Sequence, residues 1–179
     1  MTVFVAGVHA VGKSYLCRYY SEVSGVTYES ASSLIRKERT QAYWSLDKKV
    51  NNVDANQVAL CNAVRRITSG GAKLLLDGHF VLINAQSDFV SLETSVFSEL
   101  NLSSVVLLEA SPSLIASRLT DRDLSKSAVD IRAFISAERA HASVVCDELE
   151  IPLHILYEPG IEIFTKIISG LFDSAEMEC

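Results

Sequence analysis

The sequence predicts an α/β protein of three layers, in which a mostly parallel five-stranded sheet is covered by helices on both faces. Three observations predict it. Five short apolar runs, TVFVA (2–6), VTYES (26–30), KLLLD (73–77), SSVVLLEA (103–110) and PLHILY (152–157), alternate with segments of helical spacing. The first and third runs stop at glycines, Gly7 and Gly78, as strands do where a turn must feed the next helix. A chain of 179 residues with 49% hydrophobic and 21% charged residues can bury one sizeable core, and three prolines leave little room for disordered tracts.

Taken in order, Thr2 to Ala6 is continuously β-branched or aromatic, the pattern of a strand buried on both faces. A helix begins near Gly12. VTYES reads as the second strand and ASSLIRKERT as the helix behind it, with Ser30 or Ser32 as its cap. In DANQVALCNAVRRITSGG, Asp54 is placed to cap a longer helix; Val58, Cys61, Val64 and Ile67 recur at helical spacing, and Gly70-Gly71 stop it. Lys73 to Asp77 and Ser103 to Ala110 are the next strands, and Pro112 opens the helix SPSLIASRLTDRD. A helix from about Ala128 to Glu148, the strand PLHILY and a closing helix near IEIFTKIISGLF complete the alternation. This is one domain over residues 1–172, followed by DSAEMEC (173–179), a frayed acidic tail.

A net charge of −6 gives no global reason to bind nucleic acid or an anionic membrane. Cys17, Cys61, Cys146 and Cys179 are scattered, without C-x-x-C or a histidine at ligand spacing, so neither a zinc site nor a disulfide framework is expected. No apolar run approaches the roughly 18 residues of a membrane span, and no basic segment precedes the apolar start. Reduced thiols in a cytoplasmic protein are the expectation.

The chemistry is concentrated in GVHAVGKS, Gly7 to Ser14, which fits G-x-x-x-x-G-K-[ST] between a strand and a helix. Successive backbone N–H groups of such a P-loop wrap the phosphates of a nucleoside triphosphate, and the helix N-terminus adds positive potential. The expected nucleotide contacts are Gly7, His9, Ala10, Val11, Gly12, Lys13, Ser14 and Tyr15, with Lys13 on the β- and γ-phosphates and the Ser14 hydroxyl on Mg²⁺. Asp77 closes its strand where a carboxylate holds Mg²⁺-bound water in proteins of this type, or it is a turn aspartate. His79 is a base or an acceptor contact, or a structural histidine. Arg118 and Arg122, four apart, share a helical face, as do Arg132 and Arg139, seven apart. Either they bring charge to the γ-phosphate or they pair locally with Asp121, Asp123, Asp130 and Glu138. Arg36, Lys37 and Arg39 stand where a second phosphate would be received, or form a solvated basic face.

FVAGVHAVGKSYL, SASSLIRKE, LLLDGHFVLI, VVLLEASPSLIASRLTDRD and RAFISAERA, in this order over nearly the whole chain, resemble the P-loop nucleoside monophosphate kinases. The nearest resemblance is to the archaeal-type adenylate kinases and related ATP-binding proteins. It implies a kinase-like P-loop NTPase fold with a short lid, Arg36 on the acceptor phosphate, Arg118 and Arg122 in the lid over the donor, and Arg139 facing the transfer site. The chain departs from the family in lacking the arginine of DGF-P-R, since it reads DGHFVL, and in having His9-Ala10 inside the loop. The expected activity is transfer of the γ-phosphoryl group of ATP·Mg²⁺ to a small acceptor, most simply a nucleoside monophosphate, without membrane or nucleic acid. The competing expectations are a nucleotide-binding switch or ATPase subunit acting through a protein partner, and a phosphate-binding scaffold without turnover. No N-K-x-D segment is present to read guanine.

Overall fold

The computed structural model describes residues 1–42, 52–84, 86–121 and 130–174. Strand β1 (Thr2–Ala6) leads through the P-loop into α1 (Lys13–Ser24), and β2 (Thr27–Ser30) into α2 (Ala31–Ala42). Helix α3 (Asn52–Thr68), β3 (Leu74–Asp77), a hairpin of β4 (Val81–Ile83) and β5 (Phe89–Ser91), and the short α4 (Thr94–Ser98) follow. The chain ends with β6 (Leu102–Glu109), α5 (Pro112–Asp121), α6 (Ile131–Glu148), β7 (Leu153–Tyr157) and α7 (Ile161–Ser174).

The five-stranded sheet has the order β2-β3-β1-β6-β7, and every neighbouring pair is parallel, as the unbroken apolar runs require. Strands β1 and β3 are buried throughout, whereas the edge strand β7 leaves Ile155 and Tyr157 exposed. Because β1 pairs with β3 on one side and β6 on the other, the chain direction of the crossovers diverges at its carboxyl end, the place where such sheets bind ligands. Helices α1 and α7 pack together beside β1, and α6 lies over β6 and β7. Phe4, Phe80 and Phe97 form an aromatic knot under the site, with ring centroids 4.5–5.7 Å apart.

Two glycines fix the exits of the central strands. Gly7 has φ 140°, and a Cβ there would stand 2.5 Å from the Leu108 carbonyl oxygen of β6. A Cβ on Gly78 would meet the Phe4 ring at 2.8 Å, so β3 can end against β1 only with glycine.

Several boundaries differ from the sequence expectations. Ser30, rather than Ser32, caps α2, its Oγ accepting from the Ser33 N–H at 3.2 Å. Helix α3 is already under way at Asn52, ahead of Asp54. Asp130 caps α6 by accepting from the N–H groups of Arg132 and Ala133, which moves the helix start from Ala128 to Ile131. Helix α7 runs to Ser174, two residues into the expected tail. The β4–β5 hairpin and α4 are absent from the sequence reading: strands of three residues carry too few alternations to show a period, and the turn is tied by Asn84 Oδ1, which accepts from Gln86 and Asp88 at 2.9 and 2.8 Å.

Candidate active site

The P-loop brings together what its motif promised. Lys13 opens α1 and is 7% exposed; its Nζ donates to the Gly7 and Val8 carbonyls at 2.5 and 3.2 Å. Burial lowers its pKa to about 8, against the opposing pull of Asp77 and Glu138, so the ammonium is poised over the loop with little solvent to share its charge. Ser14 Oγ donates to Asp77 Oδ2 at 2.8 Å across the gap between α1 and β3. The parallel register that sets Val5 beside Asp77 produces this meeting.

A phenol joins them. Tyr28 of β2 donates from Oη to the same Asp77 Oδ2 at 2.6 Å, and burial followed by that bond pushes its pKa far above the ordinary phenol range. A hydroxyl and a carboxylate side by side at the mouth of a P-loop are hard oxygen donors of the kind Mg²⁺ takes, with water and phosphate completing the shell. Ser14 and Asp77 therefore fit the metal that the loop implies.

The second addition is Glu138. It lies on α6, 1% exposed, and its carboxylate accepts from the Gly7 N–H at 3.1 Å and from the Phe80 and Val81 N–H groups at 2.8–3.1 Å. One buried side chain thus ties the start of the P-loop to the segment leaving β3. Burial raises its pKa, with the hydrogen bonds from Phe80 and Val81, the Lys13 charge and the Gly7 bond pulling the other way. The sequence held a signal for it. Glu138 sits in register with Phe134, Ala142 and Val145 on the buried stripe of α6, where a charge needs partners. Tyr28 had no such signal.

The histidines meet here too. The His9 and His79 rings lie 4.3 Å apart, against Phe134. Among the described residues His79 Nδ1 has no hydrogen-bond partner, and it faces Glu138 Oε1 at 3.9 Å. Burial first, then Lys13 and His9, hold its pKa far below the usual imidazole range, so the ring is neutral.

The arginines behave differently from one another. Arg118 of α5 reaches the loop, where its Nη1 donates to the Ala10 and Val11 carbonyls at 3.2 and 2.7 Å. Arg122 and Asp123 lie outside the described residues. Arg139 makes a two-pronged pair with Glu109 at the end of β6, its Nε donating to Oε1 at 2.5 Å. Local pairing of the α6 arginines with Asp130 and Glu138 is thereby corrected: Asp130 is occupied as a cap, and Glu138 is buried on backbone N–H groups. Arg36 is exposed on α2 and forms no part of the cavity wall.

That cavity, of about 480 Å³, opens from the P-loop. His9, Ala10, Val11, Gly12, Lys13, Ser14, Tyr15, Asp77 and His79 form its donor end, so the predicted loop residues other than Gly7 converge on one space with Asp77 of β3 and His79 just beyond it. Its far end is walled by α2, α3, α4 and the segment before β6. Among the described residues no helix is long and apolar enough to cross a membrane.

No curated protein sequence matches the chain. Among solved structures it is similar to a sugar kinase from Janibacter sp. HTCC2649, with TM-score 0.57 and 14% identity over 96% of this chain and 94% of that one. It is similar to a gluconokinase from Sinorhizobium meliloti 1021, with TM-score 0.53 and 15% identity over 98% and 93%. A shikimate kinase from Acinetobacter baumannii, in complex with shikimate, gives TM-score 0.54 and 15% identity over 97% and 93%. At such identities the likeness is one of fold: the α/β architecture with its parallel five-stranded sheet is that of P-loop kinases, with adenylate kinases not singled out. The match to the AAA_17 family, described as an AAA domain, runs over residues 6–133, from the end of β1 into the first turn of α6, and with most of the chain inside it the protein belongs to that family.

Proposed function

We propose that the chain is an ATP·Mg²⁺-dependent kinase that transfers the γ-phosphoryl group to a small molecule seated in the cavity. The observation that carries this reading is the opening of the P-loop, with Lys13 and the Ser14–Asp77 pair, onto a cavity of about 480 Å³. A nucleotide switch needs no second pocket against its phosphates, whereas a transferase must hold an acceptor there.

Lys13 already points its ammonium at loop carbonyls and would exchange them for the β- and γ-phosphate oxygens, countering the charge that spreads as the phosphoryl group moves. Mg²⁺, when bound, would supply positive charge to neutralise the nucleotide's phosphates. Ser14 would turn its hydroxyl from Asp77 to the metal, and Asp77 would hold metal-bound water. Tyr28 and Glu138 keep Asp77 and Gly7 in place throughout. The nucleoside monophosphate expected from the family resemblance is one acceptor within this class, and its support is weakened by the exposed position of Arg36.

The test is ADP formation from ATP with each nucleoside monophosphate, with nucleosides, with sugar acids and shikimate, and with no acceptor. Turnover that depends on an acceptor and disappears in Lys13→Ala is expected. Hydrolysis at the same rate with and without every acceptor would sink the proposal and favour the switch.

A further inference from the structure

The far end of the cavity has a different chemistry from the donor end, and that difference bears on what is phosphorylated. From it we infer that the acceptor is an uncharged alcohol carrying an apolar body, its hydroxyl at the Lys13–His79 end and its body among the core side chains. This rests on the kinase reading.

The wall that receives the body is made from the hydrophobic core. Leu60 of α3, Val96 and Phe97 of α4, and Leu100 line the cavity while being buried, and Ile35 of α2 closes the near side. These side chains make the wall apolar, and the half-buried Ile35 with Leu82, 41% exposed, supplies the apolar surface that an apolar body removes from water. The polar groups between are neutral: Ser32, Asn56 and Gln57.

Of the basic side chains of α2 and α3, Arg36 is exposed outside the cavity wall and Arg65 pairs with Glu99. Lys37 pairs with Glu29, and Arg66 with Glu38. Arg39 donates to Oδ1 of the neutral Asn56 at 3.1 Å. Among the described residues Lys13 is the cation on the cavity wall, and it sits at the phosphate end. A carboxylate or phosphate at the far end would be desolvated against leucine and phenylalanine without a charged partner among the described residues, which is costly. A hydroxyl asks only for the hydrogen bonds these neutral groups offer.

The transfer balances without a redox partner. The acceptor oxygen forms a bond to the γ-phosphorus while the bridging bond to the β-phosphate oxygen breaks, its electron pair leaving with ADP. The hydroxyl proton passes to the oxygens of the transferred group and from there to water. The products are a phosphate monoester and ADP.

The experiment uses the full chain with ATP and Mg²⁺, reading ADP release and the mass of the phosphorylated product. Benzyl alcohol and cyclohexylmethanol serve as apolar-bodied probes; glycerol, gluconate, shikimate and AMP serve as hydrophilic or anionic ones. The expected result is kcat/KM at least tenfold higher for the apolar alcohols. Ile35→Trp, which fills the near wall from a half-buried position, should raise KM for the alcohols tenfold or more and leave the Kd for ATP within twofold; Val96→Phe is the gentler second variant. Higher kcat/KM with AMP, gluconate, shikimate or glycerol overturns this inference while keeping the kinase. Unchanged KM in both variants also overturns it. No transfer to any probe, with ATP still bound, defeats the kinase reading itself.

Discussion

The two ends of the cavity are built by opposite means. At the donor end, charged and hydrogen-bonding groups interlock over a few ångströms: Lys13 on loop carbonyls, Ser14 and Tyr28 on one oxygen of Asp77, and Glu138 on three backbone N–H groups from two segments. At the acceptor end, helices from distant parts of the chain present apolar walls with neutral groups between them. The first arrangement suits a ligand whose charge is invariant, and it fixes geometry tightly. The second suits a ligand identified by shape, and substitution there changes specificity with little effect on the phosphates.

The largest effect that would break this contrast belongs to Lys13. Lys13→Ala should lower turnover by on the order of 10³-fold or more, as expected for a cation that meets charge developing in transfer, while a thermal melt shows the fold retained. Near-normal turnover would remove the distinction between a charge-built and a shape-built end.

Glu138 comes next, with an effect on stability. Glu138→Ala leaves the N–H groups of Gly7, Phe80 and Val81 buried without their acceptor, and at about 1–3 kcal/mol for each orphaned group the loss should total at least about 3 kcal/mol. For a domain of this size that is a fall in Tm on the order of 10 °C. The pH dependence has a definite sign. Because burial raises the native pKa above the ordinary carboxyl value of 4.5, the folded state keeps the proton where the unfolded chain has lost it. The stability so gained is complete below about pH 4.5 and is lost as pH rises through the raised native value. Glu138→Gln should lack that slope, and parallel Tm curves for wild type and variant would show that Glu138 does not titrate on folding.

Asp77 and Tyr28 should give intermediate effects confined to the metal. Asp77→Asn should lower kcat and raise the Mg²⁺ concentration needed for half activity, each by roughly tenfold or more, with nucleotide binding less affected. Tyr28→Phe removes one of two donors on Asp77 and should shift the same Mg²⁺ titration by a few-fold, with Tm nearly unchanged. Titrations that overlay the wild type in both variants would make Asp77 a turn residue.

Arg118 tests how α5 meets the donor end. Its two bonds to the Ala10 and Val11 carbonyls hold the loop from outside, and at roughly 1.5 kcal/mol for a charged donor Arg118→Ala should weaken ATP binding about tenfold. Calorimetry beside steady-state kinetics separates the roles: a fall in kcat on the order of 10³-fold with unchanged affinity would instead put Arg118 on the transferring phosphoryl group, as the kinase resemblance implies.

The contrast also explains what could be read from sequence. β1, the P-loop and the Asp77 strand end are local patterns, in which a few consecutive residues fix both conformation and chemistry, and they emerged at their expected places. Tyr28 and Glu138 act only because parallel register and an α6 crossing bring them 49 and 131 residues along the chain to their partners. The acceptor wall was illegible for the same reason: Leu60, Val96 and Leu100 read as ordinary core, and nothing local distinguishes a leucine that faces a cavity from one that faces another leucine. Charge patterns on α2 and α6 misled because arginines at helical spacing look alike whether they meet a ligand, a strand-end carboxylate such as Glu109, or water.

The smallest expected effect sharpens the acceptor end. Arg36 stands exposed on α2 one residue after Ile35, which lines the cavity, so the helix turns the isoleucine inward and the arginine away. Surface charges in such positions contribute little to stability or to a ligand they do not touch. Arg36→Ala should therefore leave kcat, the KM for the preferred acceptor and Tm close to wild type, with kinetic changes within about twofold. Ile35→Trp, one position away, should change acceptor KM strongly. If the ranking reverses, so that Arg36→Ala raises KM for a nucleoside monophosphate by tenfold or more while Ile35→Trp is silent, α2 recognises its ligand by charge, and the acceptor end is built on the same principle as the donor end.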